Sequence, residues 1–434
     1  MPGEEFSEMP ELHAKLTMPG YLPRVADFQI EAALRRRGAV LIEGARGCGK
    51  TWTGRNHARS EARFDVEAMR LLAAADPASA LAGDVPRLLD EWQNAPGIWN
   101  PVRRECDDRA QPGQFILTGS ANPTDDLTRH TGTGRVGRVV MRTMSLYESG
   151  ASGGTISLRG LFNGEQQSSL PTPGVALSDI VRHLVTGGWP GSLSLDHENA
   201  RLSVGDYIDE ITRVDVPQAS GVQHNPAAVQ RLLRSLARNV ATEARESKLA
   251  AEMDGETLGR STVGAYLDAL RRIFVVEDQP AWSVTLRSRA SLRKQAKRHF
   301  VDPSLAAFLL RASPQRLLAD PETLGLLFES MVVRDLRVYS APLGAEIFHY
   351  RDDTGLEIDA VIERQDGAWI AAEVKLSPAA EVVDRAAVSL LRLRDKIAAR
   401  RAQDMVGLMV VTSVGAAYRR PDGVHVVPII QLGP

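Results

Sequence analysis

The sequence predicts an α/β fold in three parts: a P-loop NTPase-type parallel sheet with helices, a middle helical segment resembling a winged helix, and a second α/β unit toward the C-terminus. Three observations carry this. The glycine-rich run GARGCGKT follows a short apolar stretch and opens a helix-compatible one. Apolar residues recur at helical spacing between 176 and 275. Between 345 and 377, alternating runs separated by DDTG and RQDG read as a three-strand meander.

At 434 residues the chain is too long for one ordinary core, and two or three domains are expected. A net charge of −2 gives no whole-molecule basic field, so any nucleic-acid surface must be local. The two cysteines, Cys48 and Cys106, form neither a disulfide framework nor a zinc spacing, which suits a reducing cytoplasm. The opening MPGEEFSEMPELHAKL has acids where a secretory signal needs a basic start, and no apolar run reaches the roughly 18 residues of a membrane span. A cytoplasmic location with no membrane contact is therefore expected.

GAVLIE (38–43) reads as a buried strand that runs into Gly44, Ala45, Arg46, Gly47, Cys48, Gly49, Lys50, Thr51 and Trp52. In such a loop the glycines let backbone N–H groups turn onto phosphates, Lys50 reaches the β/γ oxygens and the Thr51 hydroxyl ligates Mg²⁺. The helix that follows adds positive potential at its N-terminus. Cys48 reads as a small loop filler. ATP and Mg²⁺ are the cofactors this pattern calls for.

VPRLL (85–89) is expected to be a second strand, ending in Asp90 for the Mg²⁺ shell and Glu91 to polarise the attacking water. QFILTGS (114–120) is a third, placing Thr118, Ser120 and, just beyond, Asn122 where one polar group could hold that water. Arg135 and Arg138, in TGTGRVGRVVMR, are candidates for neutralising transition-state charge, in cis or from a neighbouring copy. Solvated surface arginines are the plainer reading of this pair.

The Gly-, Ser- and Pro-rich stretch 149–175 is the best domain boundary. The helical patterns AAVQRLLRSLARNVA and STVGAYLDALRRIFVVE follow, then IFVVEDQ and AWSVTLR, an order like a helix-turn-helix with a β-wing. A basic run at 286–299 (Arg287, Arg289, Arg293, Lys294, Lys297, Arg298) lies beside this wing and is a local candidate for DNA contact. Farther on, LGLLFESMVVRDLRVYS reads as an amphipathic helix. Glu373 and Lys375, two residues apart on one strand, share a side, and Asp359 lies fourteen residues upstream of Glu373 on the adjacent strand. Two carboxylates and the carbonyl of Val374 would line a Mg²⁺ site, Lys375 would orient a water, and Glu329 from the preceding helix would complete the cluster.

With these stretches in hand, the chain resembles bacterial and archaeal AAA-type ATP-binding proteins whose C-terminal domain of unknown function is related to PD-(D/E)xK nucleases. GYLPRVAD, GAVLIEGARGCGKT, LLDEWQNAP, GQFILTGSANP, MRTMSLYESG, TGGWPG, HFVDPSLAAFLL, GLLFESMVV and EIDAVIE…WIAAEVKLS match in order over nearly the whole chain. DEWQ replaces the commoner DEIQ. The resemblance implies an ATPase core at 1–175, a helical and winged-helix-like segment at 176–295 and a restriction-endonuclease-like α/β domain at 296–434. Lys50 and Thr51 fall on the nucleotide loop, Asp90 and Glu91 on the second acid motif, and Glu329, Asp359, Glu373 and Lys375 on the nuclease-like core. The expected function is an ATPase coupled to a nuclease-like, DNA-associated domain. The alternatives are a protein-partner switch with an inactive nuclease-like domain, and a nucleotide-binding scaffold; a ring or other oligomer is open.

Overall fold

The computed structural model describes residues 20–120, 132–165, 174–217, 225–253, 260–283, 295–397, 401 and 403–434. The apolar runs AVLI and FIL become central strands because a parallel sheet is covered on both faces. Strands β1 (Ala39–Gly44), β2 (Ser60–Arg63), β3 (Arg87–Asp90), β4 (Phe115–Gly119) and β5 (Val136–Met141) form one parallel sheet in the order β2-β3-β4-β1-β5. Helix α1 (Ala26–Leu34) packs Ile30 and Ala33 against Val40, Ile42 and Ile116 on one face. The loop-borne helix α2 (Lys50–His57) follows β1, and α3 (Trp99–Arg109) covers the opposite face with Trp99, Val102 and Cys106 against Leu41, Phe115 and Leu117. All three strands expected from the sequence are present, with boundaries within two residues.

The expected boundary at 149–175 is partly structured. Its strand β6 (Ile156–Ser157) pairs with β15 (Leu432–Gly433) at the far end of the chain, and the Ser152 hydroxyl donates to the Leu432 carbonyl at 2.7 Å. Helices α4 (Leu177–Thr186), α5 (His197–Glu210, running into a π-helical turn at Ile211–Asp215), α6 (Pro226–Arg238) and α7 (Arg260–Arg272) then bury their apolar faces together. Strands β7 (Val276–Gln279) and β8 (Lys297–Phe300) pair antiparallel. Most of the basic run between them, including Arg287, Arg289, Arg293 and Lys294, lies outside the described residues. Lys297 and Arg298 are described, and they are buried rather than surface charges, at 3% and 7% exposure. Their strand sits against the C-terminal sheet, so their charges are met by protein acids and carbonyls.

Helices α8 (Pro303–Leu309) and α9 (Pro321–Ser340) lead into the second sheet. Strands β9 (Ala345–Arg351), β10 (Glu357–Arg364) and β11 (Trp369–Lys375) form the expected antiparallel meander. Helix α10 (Ala380–Lys396) crosses over to β12 (Met405–Thr412), parallel to β11, and β13 (Tyr418–Arg419) and β14 (His425–Pro428) complete the order β13-β14-β12-β11-β10-β9.

Helix α9 departs from its amphipathic reading. Every residue from Leu327 to Ser340 is buried, charged ones included, because its polar face meets other parts of the protein. Arg334 pairs with Asp302 at 3.0 Å and Asp335 at 2.8 Å, and Asp302 also accepts from the Thr143 hydroxyl and the Gly188 amide. Arg337 meets Glu277 of β7 at 2.7 Å, and Glu277 in turn meets Arg142, just beyond β5, at 2.8 Å. Buried charges persist only when paired in this way.

Candidate functional site: a nucleotide cavity and an acid–lysine cleft

The loop between β1 and α2 needs left-handed backbone at three glycines: Gly44, Gly47 and Gly49 have φ of 154°, 75° and 103°. A Cβ on Gly44 would stand 2.1 Å from the Met141 carbonyl oxygen, so only glycine fits. The Lys50 ammonium is buried and donates to the Gly44 and Ala45 carbonyls at 2.9 and 2.8 Å. Arg24 spans the loop from behind, donating to the Cys48 carbonyl at 2.7 Å and pairing with Glu148 at 3.1 Å. The Cys48 thiol is buried against Met141 and does not line the cavity, as a filler should be.

The loop opens on a cavity of about 540 Å³, lined by Tyr21, Leu22, Lys50, Thr51, Trp52 and Glu91, with Met144, Pro190 and Gly191 from the middle of the chain. This is the size of a small-ligand site. The Thr51 hydroxyl donates to Asp90 at 2.8 Å, and Asp90 also accepts from Thr118 at 2.5 Å. A hydroxyl beside a carboxylate is the hard-oxygen set that Mg²⁺ prefers, so these residues fit that ion. Glu91 turns into the cavity on left-handed backbone, φ 55°, an uncommon conformation for a non-glycine residue that recurs at functional sites. Its carboxylate accepts from Gln93 and, at 3.4 Å, from Ser120. Ser120 is thus gathered with Glu91; Asn122 lies outside the described residues.

Arg135 and Arg138 are not gathered. Arg135 pairs with Asp107 on α3 at 2.8 Å and Arg138 with Glu43 at 2.7 Å, and neither lines the cavity. Strand β5 is the sheet edge beside β1, and these arginines spend their charge on local acids there. Arg46, by contrast, lines the cavity, and it pairs with Glu210 at the end of α5 and Asp215 in the π-helical turn at 2.8 and 3.1 Å. Trp52, 47% exposed, lines the mouth. Sequence reasoning assigned no role to Tyr21, Leu22, Arg24, Gln93, Met144 or the Pro190–Gly191 turn. GYLPR and TGGWPG carry turn punctuation that marks loops but no chemistry.

At the other end of the protein, Asp359 on β10 and Glu373 and Lys375 on β11 line a cleft of about 610 Å³ with Glu357, Arg385, Ser389 and Arg392. The Lys375 ammonium bridges Asp359 at 3.2 Å and Glu373 at 2.5 Å, and the Val374 amide donates to Asp359 at 2.8 Å. Burial, and then the Asp359 charge, push the Glu373 carboxyl up to about 8 against the pull of Lys375. Lys297 stands on the other side of Asp359, 2.8 Å from Glu329, 3.0 Å from Glu357 and 3.7 Å from Asp359. Its ammonium occupies the space between Glu329 and Asp359, so Glu329 does not join Asp359 and Glu373 as a third oxygen donor. Among the described residues no group of three His, Cys, Asp or Glu side chains converges closely enough to hold a metal ion. What fits a divalent ion is the pair Asp359 and Glu373, two hard carboxylates now bridged by an ammonium.

Residues 36–149 match the family model described as an AAA domain. Residues 177–316 and 324–432 match two domains of unknown function, DUF8612 and DUF4143. With the loop and second-acid geometry above, the N-terminal part is an AAA-type P-loop ATPase domain. The relatives extend this no further: uncharacterized proteins of Mycobacterium bovis and Mycobacterium tuberculosis are each 27% identical over 371 residues, 84% of this chain and 76% of theirs. Similar solved structures are a Walker-type ATPase of Pyrococcus abyssi (14% identity, TM-score 0.40, 69% of this chain and 99% of that one) and AMPPCP-bound DnaA from Aquifex aeolicus (14%, 0.24, 60% and 92%). A third is the Aeropyrum pernix ORC1 protein in complex with DNA (16%, 0.25, 71% and 98%). All three scores fall below that of a shared whole-chain fold. Among the described residues no helix is long and apolar enough to cross a membrane.

Proposed function

We propose that the protein is a Mg²⁺-dependent ATPase that couples ATP binding and hydrolysis to a nuclease-like, nucleic-acid-associated C-terminal domain. The observation that carries it is the joining of the two sites through α9. This helix bears Glu329 toward the acid–lysine cleft, while its Asp335 accepts from the Leu146 amide and its Arg337 meets Glu277, which pairs with Arg142 just beyond β5.

In the nucleotide site, Lys50 would leave its loop carbonyls for the phosphates, and the Gly-rich backbone would cradle them. Thr51 and Asp90 would hold Mg²⁺, which supplies charge neutralisation at the β/γ oxygens when bound. Glu91, held by Gln93 and Ser120, would polarise the attacking water. Leu22 and Trp52, which line the cavity, would give the base an apolar wall. In the cleft, Asp359 and Glu373 would hold the divalent ion and Lys375 would orient water; the middle segment would be winged-helix-like, most of its AWSVTLR wing strand lying outside the described residues.

A second reading is favoured by one observation. Lys297 fills the space beside Asp359 with a built-in cation, which suits a nuclease-like domain that no longer cuts and serves an ATP-dependent protein-partner switch. ATP turnover measured with and without single-stranded and duplex DNA separates the two, followed by cleavage assays in Mg²⁺ or Mn²⁺. DNA-stimulated turnover, with cutting lost in Glu373→Ala, supports coupling to a nuclease. Turnover indifferent to DNA with no cutting supports the switch.

A further inference from the structure

Arg385 and Ser389 in the wall of the C-terminal cleft belong to no motif, while Arg392 falls in LRLRDKIAARR, which with LRRRG and the 286–299 run is one of three local basic runs in the sequence. Arg385, Ser389 and Arg392 of α10 line the cleft, at the i, i+4, i+7 spacing that puts side chains on one helix face. The other basic residues near this helix are neutralised: Arg394 pairs with Asp395, Lys396 with Asp352, and Arg420 with Asp384. Arg385 and Arg392 are exposed, and among the described residues neither guanidinium has an ion pair or side-chain hydrogen bond. Two uncommitted guanidinium groups therefore face a cleft whose floor is Glu357, Asp359, Glu373 and Lys375.

We propose that Arg385 and Arg392 form a phosphodiester-binding wall, gripping the backbone of a nucleic-acid strand so that it lies over Asp359, Glu373 and Lys375. This rests on the nucleic-acid reading above and names the residues that would hold the strand. The two positions are seven residues apart, about 10 Å along the helix axis, which is about three base steps at 3.4 Å each. Arginine's forked donors suit phosphate oxygens. The acidic floor repels a strand by itself, so the grip is expected with a divalent cation present.

The test uses the full chain and labelled DNA and RNA oligonucleotides, single-stranded and duplex, with Mg²⁺ present and salt varied, read by fluorescence anisotropy. Arg385→Gln/Arg392→Gln is compared with the wild type and with Arg104→Gln, an exposed arginine on α3 far from the cleft. The double variant is expected to bind about tenfold or more weakly, and its log K against log salt slope should fall by roughly 1.4–1.8, two phosphate contacts' worth. Arg104→Gln is expected to bind as the wild type does, and the DNA and RNA arms identify the strand. If the double variant binds as tightly as the wild type with the same slope, the wall is overturned while nucleic-acid association stands. If the wild type binds none of the oligonucleotides, both the wall and the nucleic-acid reading fall.

Discussion

Glu277→Gln cuts the ionic tie between the ATPase sheet and α9. Glu277 lies between Arg142 and Arg337, and the three side chains are 15%, 17% and 9% exposed. Burial alone would raise its carboxyl; Arg142 and Arg337 overcome that and hold it down from an ordinary 4.5 to about 2. That difference is worth about 3 kcal/mol of stability at neutral pH. The cost of breaking a buried pair, about 3–5 kcal/mol, points to the same size. Because the folded carboxyl titrates below the free one, this stability is present above pH 4.5 and is lost as pH falls toward 2. Thermal melting of wild type and variant is the assay. The variant should melt roughly 6 °C lower at pH 7, at about 2 °C per kcal/mol for a sizeable cooperative unit. The gap should narrow in acid, where the wild type protonates the same group. Equal melting at pH 7, or a gap that widens as pH falls, would refute this reasoning.

Other perturbations separate the two sites. Gly44→Ala should abolish nucleotide binding, since its Cβ meets the Met141 carbonyl and the backbone is left-handed; a titration with a fluorescent ATP analogue checks it. Trp52→Ala should weaken ATP about tenfold, and wild-type tryptophan emission should change on ATP addition. The Glu373 carboxyl titrates above its free value, so its contribution is complete below about pH 4.5 and is lost as pH rises through about 8. Glu373→Gln should therefore melt above the wild type at pH 9 and not at pH 5, and Mg²⁺ should raise melting at pH 9 in the wild type alone. Lys297→Met leaves Glu329, Glu357 and Asp359 without their shared cation, and should lower melting by several degrees at pH 8.

Much of the ATPase half is legible in the sequence because its signals are local. Strand, glycine loop and Lys-Thr lie within a dozen residues, and Asp90–Glu91 closes a short apolar run. The strand meander was legible for the same reason, through turns and alternation. Legibility ended where partners are distant in sequence. Arg135 and Arg138 read equally as transition-state candidates or as surface arginines, and only the tertiary approach of Asp107 and Glu43 shows them half-exposed and paired away from the cavity. Lys297 read as part of a basic run offered for DNA contact, yet it is buried against acids 32 and 60 residues away. Helix α9 read as amphipathic because period alone cannot tell water from a buried ion pair. The floor of the cavity was visible as a motif, while its rim at Leu22, Met144 and Pro190 is an accident of tertiary approach.

The most direct test of the central claim is ATP turnover by the full chain, with Lys50→Ala and Glu91→Gln alongside, with and without DNA. The account predicts Mg²⁺-dependent hydrolysis by the wild type, stimulated by DNA. Lys50→Ala should lose nucleotide binding, and Glu91→Gln should bind ATP but turn over about 100-fold or more slowly. Turnover unchanged in both variants would contradict the assignment of this cavity as the hydrolytic site.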